Sequence, residues 1–182
     1  MTAELVVLTY DAGTPVGTAL KSEVHTTDTP LHLAFSCYAV DGDGRTLLTR
    51  RALGKRTWPG VWTNTCCGHP APGESAEDAV VRRMRDELGL EIDWIRPVLP
   101  DFRYRAVAPD GIVENEICPV FLAGVSGDHL PDPHEVVDWA WIGFDELVTA
   151  AGAAPMAFSP WSVLQLAQLA AHGMPRIGAA VG

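Results

Sequence analysis

The chain has 182 residues, of which 13 are lysine or arginine and 23 are aspartate or glutamate, so its formal charge is −10. That length predicts a single domain over residues 1–182, and the 47% of hydrophobic residues excludes a disordered chain. The acidic balance argues against nucleic acid or a membrane surface as a partner, and no apolar run reaches the roughly 20 residues of a membrane helix.

The predicted elements alternate irregularly between strands and helices. Strands are expected over residues 4–9, 31–40, 46–51, 101–107, 112–122 and 136–142, and helices over about 75–88, 144–151 and 160–171. That order predicts an α+β fold with a mixed β-sheet packed between helices. We expect residues 1–30 to form an N-terminal extension and residues 173–182 a flexible tail.

Basic residues concentrate in one stretch of this acidic chain. Residues 44–73 contain no aspartate or glutamate, yet they hold five basic residues: Arg45, Arg50, Arg51, Lys55 and Arg56. Such a stretch favours a local anion-binding site. A chance cluster or a solvated strand edge explains the pattern equally well on this observation alone.

The four cysteines are Cys37, Cys66, Cys67 and Cys118. Two of them are adjacent, their spacing is not that of a cysteine zinc site, and the first residues carry no signal-peptide pattern. We therefore expect free thiols in a cytoplasmic protein.

The helix predicted over residues 75–88 carries two charges on its apolar face. Ser75 is placed to cap its start and Gly89 to end it, while Arg83 and Glu87 project into the apolar sector one turn apart. Charges on an inward face are costly unless they are paired or liganded. The two side chains form either a structural ion pair or, as we favour, a site in which Glu87 faces a cation and Arg83 an anion.

The same region resembles the Nudix box, G-x5-E-x7-R-E-U-x-E-E-x-G-U, in which U is an apolar residue. The matching residues are Gly68-x5-Glu74-x7-Arg82 and Glu87-Leu88-Gly89-Leu90. Arg83 and Asp86 stand where that family has glutamates. The resemblance implies an α/β/α Nudix-type fold. Because a cation in place of a metal-binding carboxylate repels metal, we expect the family's hydrolytic centre to be impaired here.

Further motifs resemble the type I isopentenyl-diphosphate isomerases. They occur in the family's order over residues 4–165: His25-x6-His32-Leu33-Ala34-Phe35-Ser36, Arg50-Arg51-Ala52, Thr63-Asn64-Thr65-Cys66-Cys67-Gly68-His69-Pro70, Tyr104-Arg105-Ala106, Glu114-Asn115-Glu116 and Ser159-Pro160-Trp161. The resemblance implies an enzyme of isoprenoid biosynthesis that isomerises isopentenyl diphosphate to dimethylallyl diphosphate without an organic cofactor. Members of the family are monomers or homodimers, and the sequence does not choose between them.

Two carboxylates on one strand indicate a bound cation. Glu114 and Glu116 alternate along the strand and so face one side, where like charges in an apolar run need compensation. A divalent ion supplies it. The resemblance implies a Mn²⁺, Mg²⁺ or Zn²⁺ site made by three histidines and both glutamates: His25, His32, His69, Glu114 and Glu116. The remaining histidines are expected at the surface: His129, His134 and His172.

The resemblance also implies how the diphosphate of the substrate is held. The matched contacts are Lys21, Arg51, Lys55 and Arg83. Guanidinium groups suit phosphate oxygens because they bind them in pairs, and lysine adds a point charge. A Mg²⁺ ion is expected to bridge the diphosphate to Glu87 and to the backbone carbonyl of Cys67. Through Lys21 and His25 the N-terminal extension contributes to the site.

A 1,3 proton shift on an alkene needs an acid and a base on opposite faces, and an aromatic face for the carbocation between them. The resemblance implies that Cys67 and Glu116 move the protons, that Tyr104 hydrogen-bonds Glu116, and that Trp161 faces the carbocation. The residues alone also allow structural roles for these side chains. Cys67 is then a packed thiol, Glu116 is only a metal ligand, and both aromatic residues belong to the core. Which of Cys67 and Glu116 is the acid also stays open.

Two other functions are to be distinguished from the isomerase. A Nudix-type hydrolase of a nucleoside or isoprenoid diphosphate is disfavoured by Arg83 and Asp86. A diphosphate-binding module without catalysis is favoured by no residue, because all the matched chemical positions are retained. The segment that closes over substrate is also open, with residues 1–30 and 153–161 as candidates.

Overall fold

A computed structural model describes residues 4–11 and 13–172. The strands of this part of the chain are β1 Leu5–Thr9, β2 Pro15–Leu20, β3 His32–Leu33, β4 Phe35–Val40, β5 Thr46–Arg51, β6 Trp62–Thr63, β7 Cys66–Gly68, β8 Glu91–Leu99, β9 Arg103–Val107, β10 Val113–Ile117, β11 Val120–Ser126 and β12 Val136–Ile142. Its α-helices are α1 Lys21–Val24, α2 Ala76–Leu88, α3 Phe144–Ala153 and α4 Pro160–His172. The tail expected over residues 173–182 lies outside the described residues.

The strands form two mixed sheets, which confirms the α+β fold class and divides the predicted sheet in two. One sheet has the order β2-β1-β3-β10-β9, and the other has the order β12-β5-β4-β11-β8, with β6 on β5 and β7 on β4. The β3–β10 and β4–β11 pairs are parallel, and the other named pairs are antiparallel.

Two predicted strands pass from one sheet to the other. The strand expected over residues 31–40 breaks at Ala34, and the one over 112–122 breaks at Cys118 and Pro119. The Ala34 amide donates to the Ile117 carbonyl at 2.9 Å, so the two crossings lie side by side. Proline lacks the amide hydrogen of a strand ladder, which explains the second break. The crossings bring the ends of both sheets together.

Helices cover both faces of the larger sheet. Alternate side chains of β4 enter different cores: Cys37 and Ala39 pack with α2, whereas Tyr38 and Val40 pack with α3 and α4. None of the described helices is both long and apolar enough to cross a membrane. The result is a helix–sheet–helix arrangement, in agreement with the layers that the Nudix resemblance implies.

The sequence prediction missed α1 and four strands: β2, β6, β7 and β8. Strand β8 is nine residues long but lies at the edge of its sheet, where most of its side chains are exposed or half-buried. Pro97 within it also disfavours a strand prediction, although edge strands tolerate proline. Strand β2 is likewise an edge strand and lacks an alternating apolar pattern.

Helix α2 has both predicted caps. The Ser75 hydroxyl accepts a hydrogen bond from the Asp78 amide at 3.0 Å, and Gly89 ends the helix in the left-handed region at φ 65°. Just before the helix, both Glu74 oxygens accept hydrogen bonds from the Arg82 guanidinium at 2.7 Å. Glu74 also accepts the Ala71 amide at 2.7 Å, so this carboxylate ties the entering loop to the helix.

We expect Glu74→Gln to lower the free energy of unfolding at pH 7 by about 1 kcal/mol, after allowance for solvent screening of a half-exposed pair. The Arg82 hydrogen bonds lower the pKa of Glu74, so its contribution is present above the unfolded pKa and is lost as pH falls below about 4. Urea unfolding at pH 7 and at low pH measures both effects. Glu91→Gln in the exposed Arg85–Glu91 pair is the control and should change stability little. Equal effects of the two variants at pH 7 would contradict this account.

Candidate active site

A cavity of about 760 Å³ opens where the two sheets meet. Most of the predicted site residues line it: Lys21, His25, Arg51, Lys55, Cys67, His69, Arg83, Tyr104, Glu114, Glu116 and Trp161. The two others, His32 and Glu87, are buried next to these lining residues, in contact with Glu116 and Arg83 respectively. The structure therefore brings together side chains from the N-terminal extension, both sheets, α2 and α4.

Three imidazole rings surround one carboxylate. The parallel register of β3 and β10 sets His32 beside Glu116, and His69 follows directly after β7. Glu116 Oε1 lies 3.2 Å from His69 Nε2 and 3.4 Å from His32 Nε2. The ring of His25 lies 5.3 Å from that of His32 and 5.7 Å from that of His69. One donor atom from each of the four residues lies within 4.8 Å of the others.

These donors fit a divalent metal ion. His32 Nδ1 donates to the Pro30 carbonyl at 2.9 Å, which turns Nε2 of the same ring toward Glu116. His69 Nδ1 is buried without a hydrogen-bond partner among the described residues. Burial lowers the pKa of His25 to about 4 and also lowers that of His69, so both rings are neutral at pH 7. Neutral imidazoles and a carboxylate are ligands for Mn²⁺, Zn²⁺ or Mg²⁺.

The fifth predicted ligand, Glu114, lies outside this group of four residues and is linked to Glu116 through the Tyr104 hydroxyl. Its Oε2 accepts from the Tyr104 hydroxyl at 2.6 Å, and its Oε1 accepts from the Thr57 hydroxyl at 2.5 Å. The Tyr104 hydroxyl also lies 2.9 Å from Glu116 Oε2. One hydroxyl has one proton, so Tyr104 donates to one carboxylate at a time. Thr57 was not predicted, because nothing in a basic loop marks one threonine as a hydrogen-bond donor.

The pKa values of the two carboxylates move in opposite directions. Burial and then repulsion by Glu116 raise the pKa of Glu114. Burial also acts to raise the pKa of Glu116, but its hydrogen bonds with His32 and His69 outweigh burial and lower it. Burial raises the pKa of Tyr104 well above its ordinary value, which keeps the phenol protonated.

Cys67 lies on β7 opposite Ser36 and faces the cavity, whereas its neighbour Cys66 packs in the core beside α2. Burial raises the pKa of the Cys67 thiol to about 11, and the nearby Arg51 guanidinium offsets part of that effect. Arg51 Nη1 lies 3.9 Å from the sulfur. In this structure the group is therefore a thiol at pH 7, next to a positive charge.

Trp161 lies in the first turn of α4 and is almost fully buried. Its indole nitrogen donates to Asn64 Oδ1 at 3.0 Å, and Asn64 in turn donates to the Cys66 carbonyl at 2.5 Å. The Trp161 ring lies 5.7 Å from the Tyr104 ring and 5.6 Å from the Trp58 ring. Asn64 thus fixes both the indole and the strand that bears Cys67, a role that nothing in the sequence indicates beyond its place in a motif.

The predicted diphosphate contacts differ in their partners. Arg51 donates to backbone carbonyls of Thr57 and Trp58 at 3.0 to 3.3 Å, and its guanidinium carbon lies 5.2 Å from the Trp161 ring. Arg83 forms an ion pair with Glu87, the alternative that the helix pattern left open. Arg56, for which no role was predicted, also lines the cavity.

Two unpredicted carboxylates contact the remaining cations. Glu4 lies 2.9 Å from Lys21 Nζ and 3.7 Å from Arg83. Glu135 pairs with Lys55 and lies 3.8 Å from Arg83. Both are distant in sequence from most of their partners, so no local pattern could reveal them.

The three other histidines do not join the site. His134 and His172 are exposed, as expected. His129 was wrongly expected to be a plain surface residue, because it is half-buried and packs edge-on against Trp139 at 5.1 Å and Trp141 at 6.2 Å.

Comparison with known proteins identifies relatives over most of the chain. A sequence model of the NUDIX domain matches residues 30–165. The Isopentenyl-diphosphate Delta-isomerase of Paenarthrobacter aurescens is 59% identical over 166 residues, which cover 91% of this chain and 90% of that protein. The protein of the same name from Agromyces mediolanus is 62% identical over 163 residues, covering 90% and 79% respectively.

Solved structures show the same fold at lower identity. A Deinococcus radiodurans protein superposes with a TM-score of 0.71 at 19% identity, over 91% of this chain and 98% of that one. The MutT protein of Methanosarcina mazei gives a TM-score of 0.64 at 18% identity, over 80% and 97%. Together the sequence and structural matches show that the chain belongs to the NUDIX family and, within it, to the family of the isopentenyl-diphosphate Delta-isomerases.

Proposed function

We propose that this chain isomerises isopentenyl diphosphate to dimethylallyl diphosphate by a metal-dependent 1,3-allylic proton shift, as a step of isoprenoid biosynthesis. One observation carries the proposal. A thiol on the larger sheet, Cys67, and a carboxylate–phenol pair on the smaller sheet, Glu116 and Tyr104, line one cavity that five cations also line. Proton donors and acceptors from two different walls are what a shift across an alkene requires.

The two proton transfers are assigned to opposite walls. In the forward reaction the terminal alkene carbon gains a proton and the allylic carbon loses one, with a tertiary carbocation between the two steps. Cys67 Sγ serves one face, and Glu116, through the Tyr104 hydroxyl, serves the other. The double bond moves while the diphosphate stays attached, so no phosphate is released.

Trp161 is proposed to stabilise the carbocation. An aromatic face attracts a cation, most strongly where water is excluded. The indole is 2% exposed, and its nitrogen is bound to Asn64, so the ring is held in place. The same burial keeps out the nucleophilic water that would trap the intermediate as an alcohol.

Four of the cations that line the cavity are proposed to bind the diphosphate: Lys21, Arg51, Lys55 and Arg83. They come from α1, β5, the following loop and α2, and all four line the cavity. Holding the charged end of the substrate on these cations is proposed to direct the five-carbon chain toward Cys67 and Trp161.

Two metal sites complete the proposal. His25, His32, His69 and Glu116, joined by Glu114, are proposed to hold Mn²⁺, Zn²⁺ or Mg²⁺, which would supply positive charge that keeps the Glu116 carboxylate ionised. Glu87 and the Cys67 carbonyl are proposed to hold a Mg²⁺ ion, which would neutralise charge on the diphosphate. Organic cofactors, nucleic acid and membranes have no part in the proposal.

We place the enzyme in the cytoplasm, a location that its four free cysteines support. The proposal covers a monomer or a homodimer, because all the residues that it uses come from one chain.

The proposal is tested by incubating the purified protein with isopentenyl diphosphate and Mg²⁺. Separation of the products should show dimethylallyl diphosphate approaching equilibrium with its isomer, and no inorganic phosphate. Phosphate release without the isomer would instead identify a hydrolase, which is disfavoured by Arg83 and Asp86 in place of two glutamates of the Nudix box.

A further inference from the structure

Each cation of the proposed diphosphate site except Arg51 contacts a carboxylate in this structure. Lys21 pairs with Glu4 at 2.9 Å, Lys55 pairs with Glu135, and Arg83 pairs with Glu87 while lying 3.7 Å and 3.8 Å from the other two carboxylates. The polar contacts of Arg51 within the described chain are backbone carbonyls and the Cys67 sulfur. Three cations are therefore balanced by three carboxylates.

Backbone hydrogen bonds hold Glu135 in this position. Its carbonyl accepts from the Ala52 amide at 2.9 Å, at the start of the loop that carries Lys55, and its amide donates to the Asp132 carbonyl at 2.9 Å. The Asp132 amide in turn donates to the Glu87 carbonyl at 2.8 Å. The segment from Asp132 to Glu135 is thus bound to α2 at one end and to the loop that carries Lys55 at the other. These hydrogen bonds keep the Glu135 carboxylate between Lys55 and Arg83.

Glu4 is fixed in a similar way from the other side of the cavity. Its carbonyl accepts from the Lys21 amide at 2.9 Å, next to the pair that its carboxylate forms with the Lys21 side chain. The side chain lines the cavity itself. A diphosphate that reaches Lys21 and Arg83 must therefore compete with this carboxylate.

The charges of a free diphosphate and of its metal complex determine which of the two these carboxylates disfavour. A diphosphate ester bears about three negative charges, and at short distance in a half-buried site each fixed carboxylate repels it appreciably. A divalent cation bound to the diphosphate removes most of that repulsion and is itself attracted by the same carboxylates. Carboxylates in a diphosphate site therefore penalise the free anion more than its metal complex.

We propose that Glu4 and Glu135 are specificity-determining residues that make the site select a metal-complexed diphosphate over a free diphosphate. The inference rests on the proposed function, because it takes these cations to form the diphosphate site. Neither residue moves a proton in the reaction. Their action is exerted through Lys21, Lys55 and Arg83.

The test is calorimetric titration of the metal-loaded protein with inorganic pyrophosphate, without and with added Mg²⁺, with retention of the resident metal checked by elemental analysis. Glu135→Gln and Glu4→Gln should each tighten binding of free pyrophosphate by about tenfold, or about 1.4 kcal/mol. Binding of the Mg²⁺ complex should change by less than about threefold, so the ratio of the two affinities falls. Glu91→Gln, which makes the same change of net charge in an exposed ion pair away from the cavity, should leave both affinities unchanged.

The direction in which the variants change the affinity for free pyrophosphate distinguishes this role from a structural one. If the two carboxylates only hold the cations in position, their loss weakens the binding of free pyrophosphate, and that result would overturn the inference, as would unchanged affinities. Glu4→Gln keeps the test decisive if Glu135→Gln fails to fold. Failure of the proposed function is recognised separately, because the wild-type protein would then make no dimethylallyl diphosphate, whatever the affinities of the variants for pyrophosphate.

Discussion

Replacing Cys67 with alanine should lower kcat by roughly a thousandfold or more, because the loss of a group that transfers a proton at carbon typically costs 10² to 10⁴ and no neighbouring group replaces the thiol. Affinity for the diphosphate should stay within about threefold, since Lys21, Lys55 and Arg83 are untouched and Arg51 keeps its contacts with backbone carbonyls when the sulfur is lost. Steady-state kinetics and pyrophosphate titration measure the two quantities on the same preparation.

The chain offers a matched control in Cys37. It is also a buried thiol on a strand of the larger sheet, but its side chain packs in the core beside α2 and does not line the cavity. Cys37→Ala should therefore cost stability and leave turnover within about threefold of the wild type. A Cys67→Ala protein that keeps a tenth or more of wild-type turnover would remove the thiol from the mechanism.

Stripping the divalent metal from the protein with a chelator should abolish measurable turnover, and adding back Mn²⁺, Mg²⁺ or Zn²⁺ should restore it. Glu116 explains the size of the effect, because the same carboxylate contacts two of the imidazoles and the Tyr104 hydroxyl. Elemental analysis before chelation should find a tightly bound divalent ion, and His25→Gln should weaken its retention by at least about tenfold.

His134→Gln is the control for this experiment, since His134 is exposed and does not belong to the histidine cluster. It should retain the metal and the activity of the wild type. Full activity after complete removal of divalent metal would exclude the proposed site, whatever ion the protein holds when purified.

The parts of the fold that the sequence predicts are those whose signals are local. Helix α2 was predicted from a capping Ser75, a terminal Gly89 and an apolar face between them, and all three features are present in the structure. Strand β8 was missed because burial of an edge strand depends on what packs against it, which its own residues do not encode. The division into two sheets was missed for the same reason, since it depends on where paired strands cross.

The candidate site likewise contains residues that local motifs identify and residues that only long-range contacts reveal. Motifs placed the histidines, Cys67 and the carboxylates of β10, and the structure gathers these side chains around one cavity. Thr57, Asn64 and Glu135 could not be predicted, because their importance lies in contacts with residues far away in sequence. The Glu135–Lys55 pair spans 80 positions, and an acid in an acidic chain carries no mark of such a partner.

The most direct test of the account is the isomerisation of isopentenyl diphosphate in deuterated water with the metal-loaded protein, followed by nuclear magnetic resonance. We expect dimethylallyl diphosphate that carries deuterium in the methyl group formed from the terminal alkene carbon, with the diphosphate intact. Isomerisation without any deuterium from solvent-exchangeable groups, or phosphate release without the isomer, would contradict it.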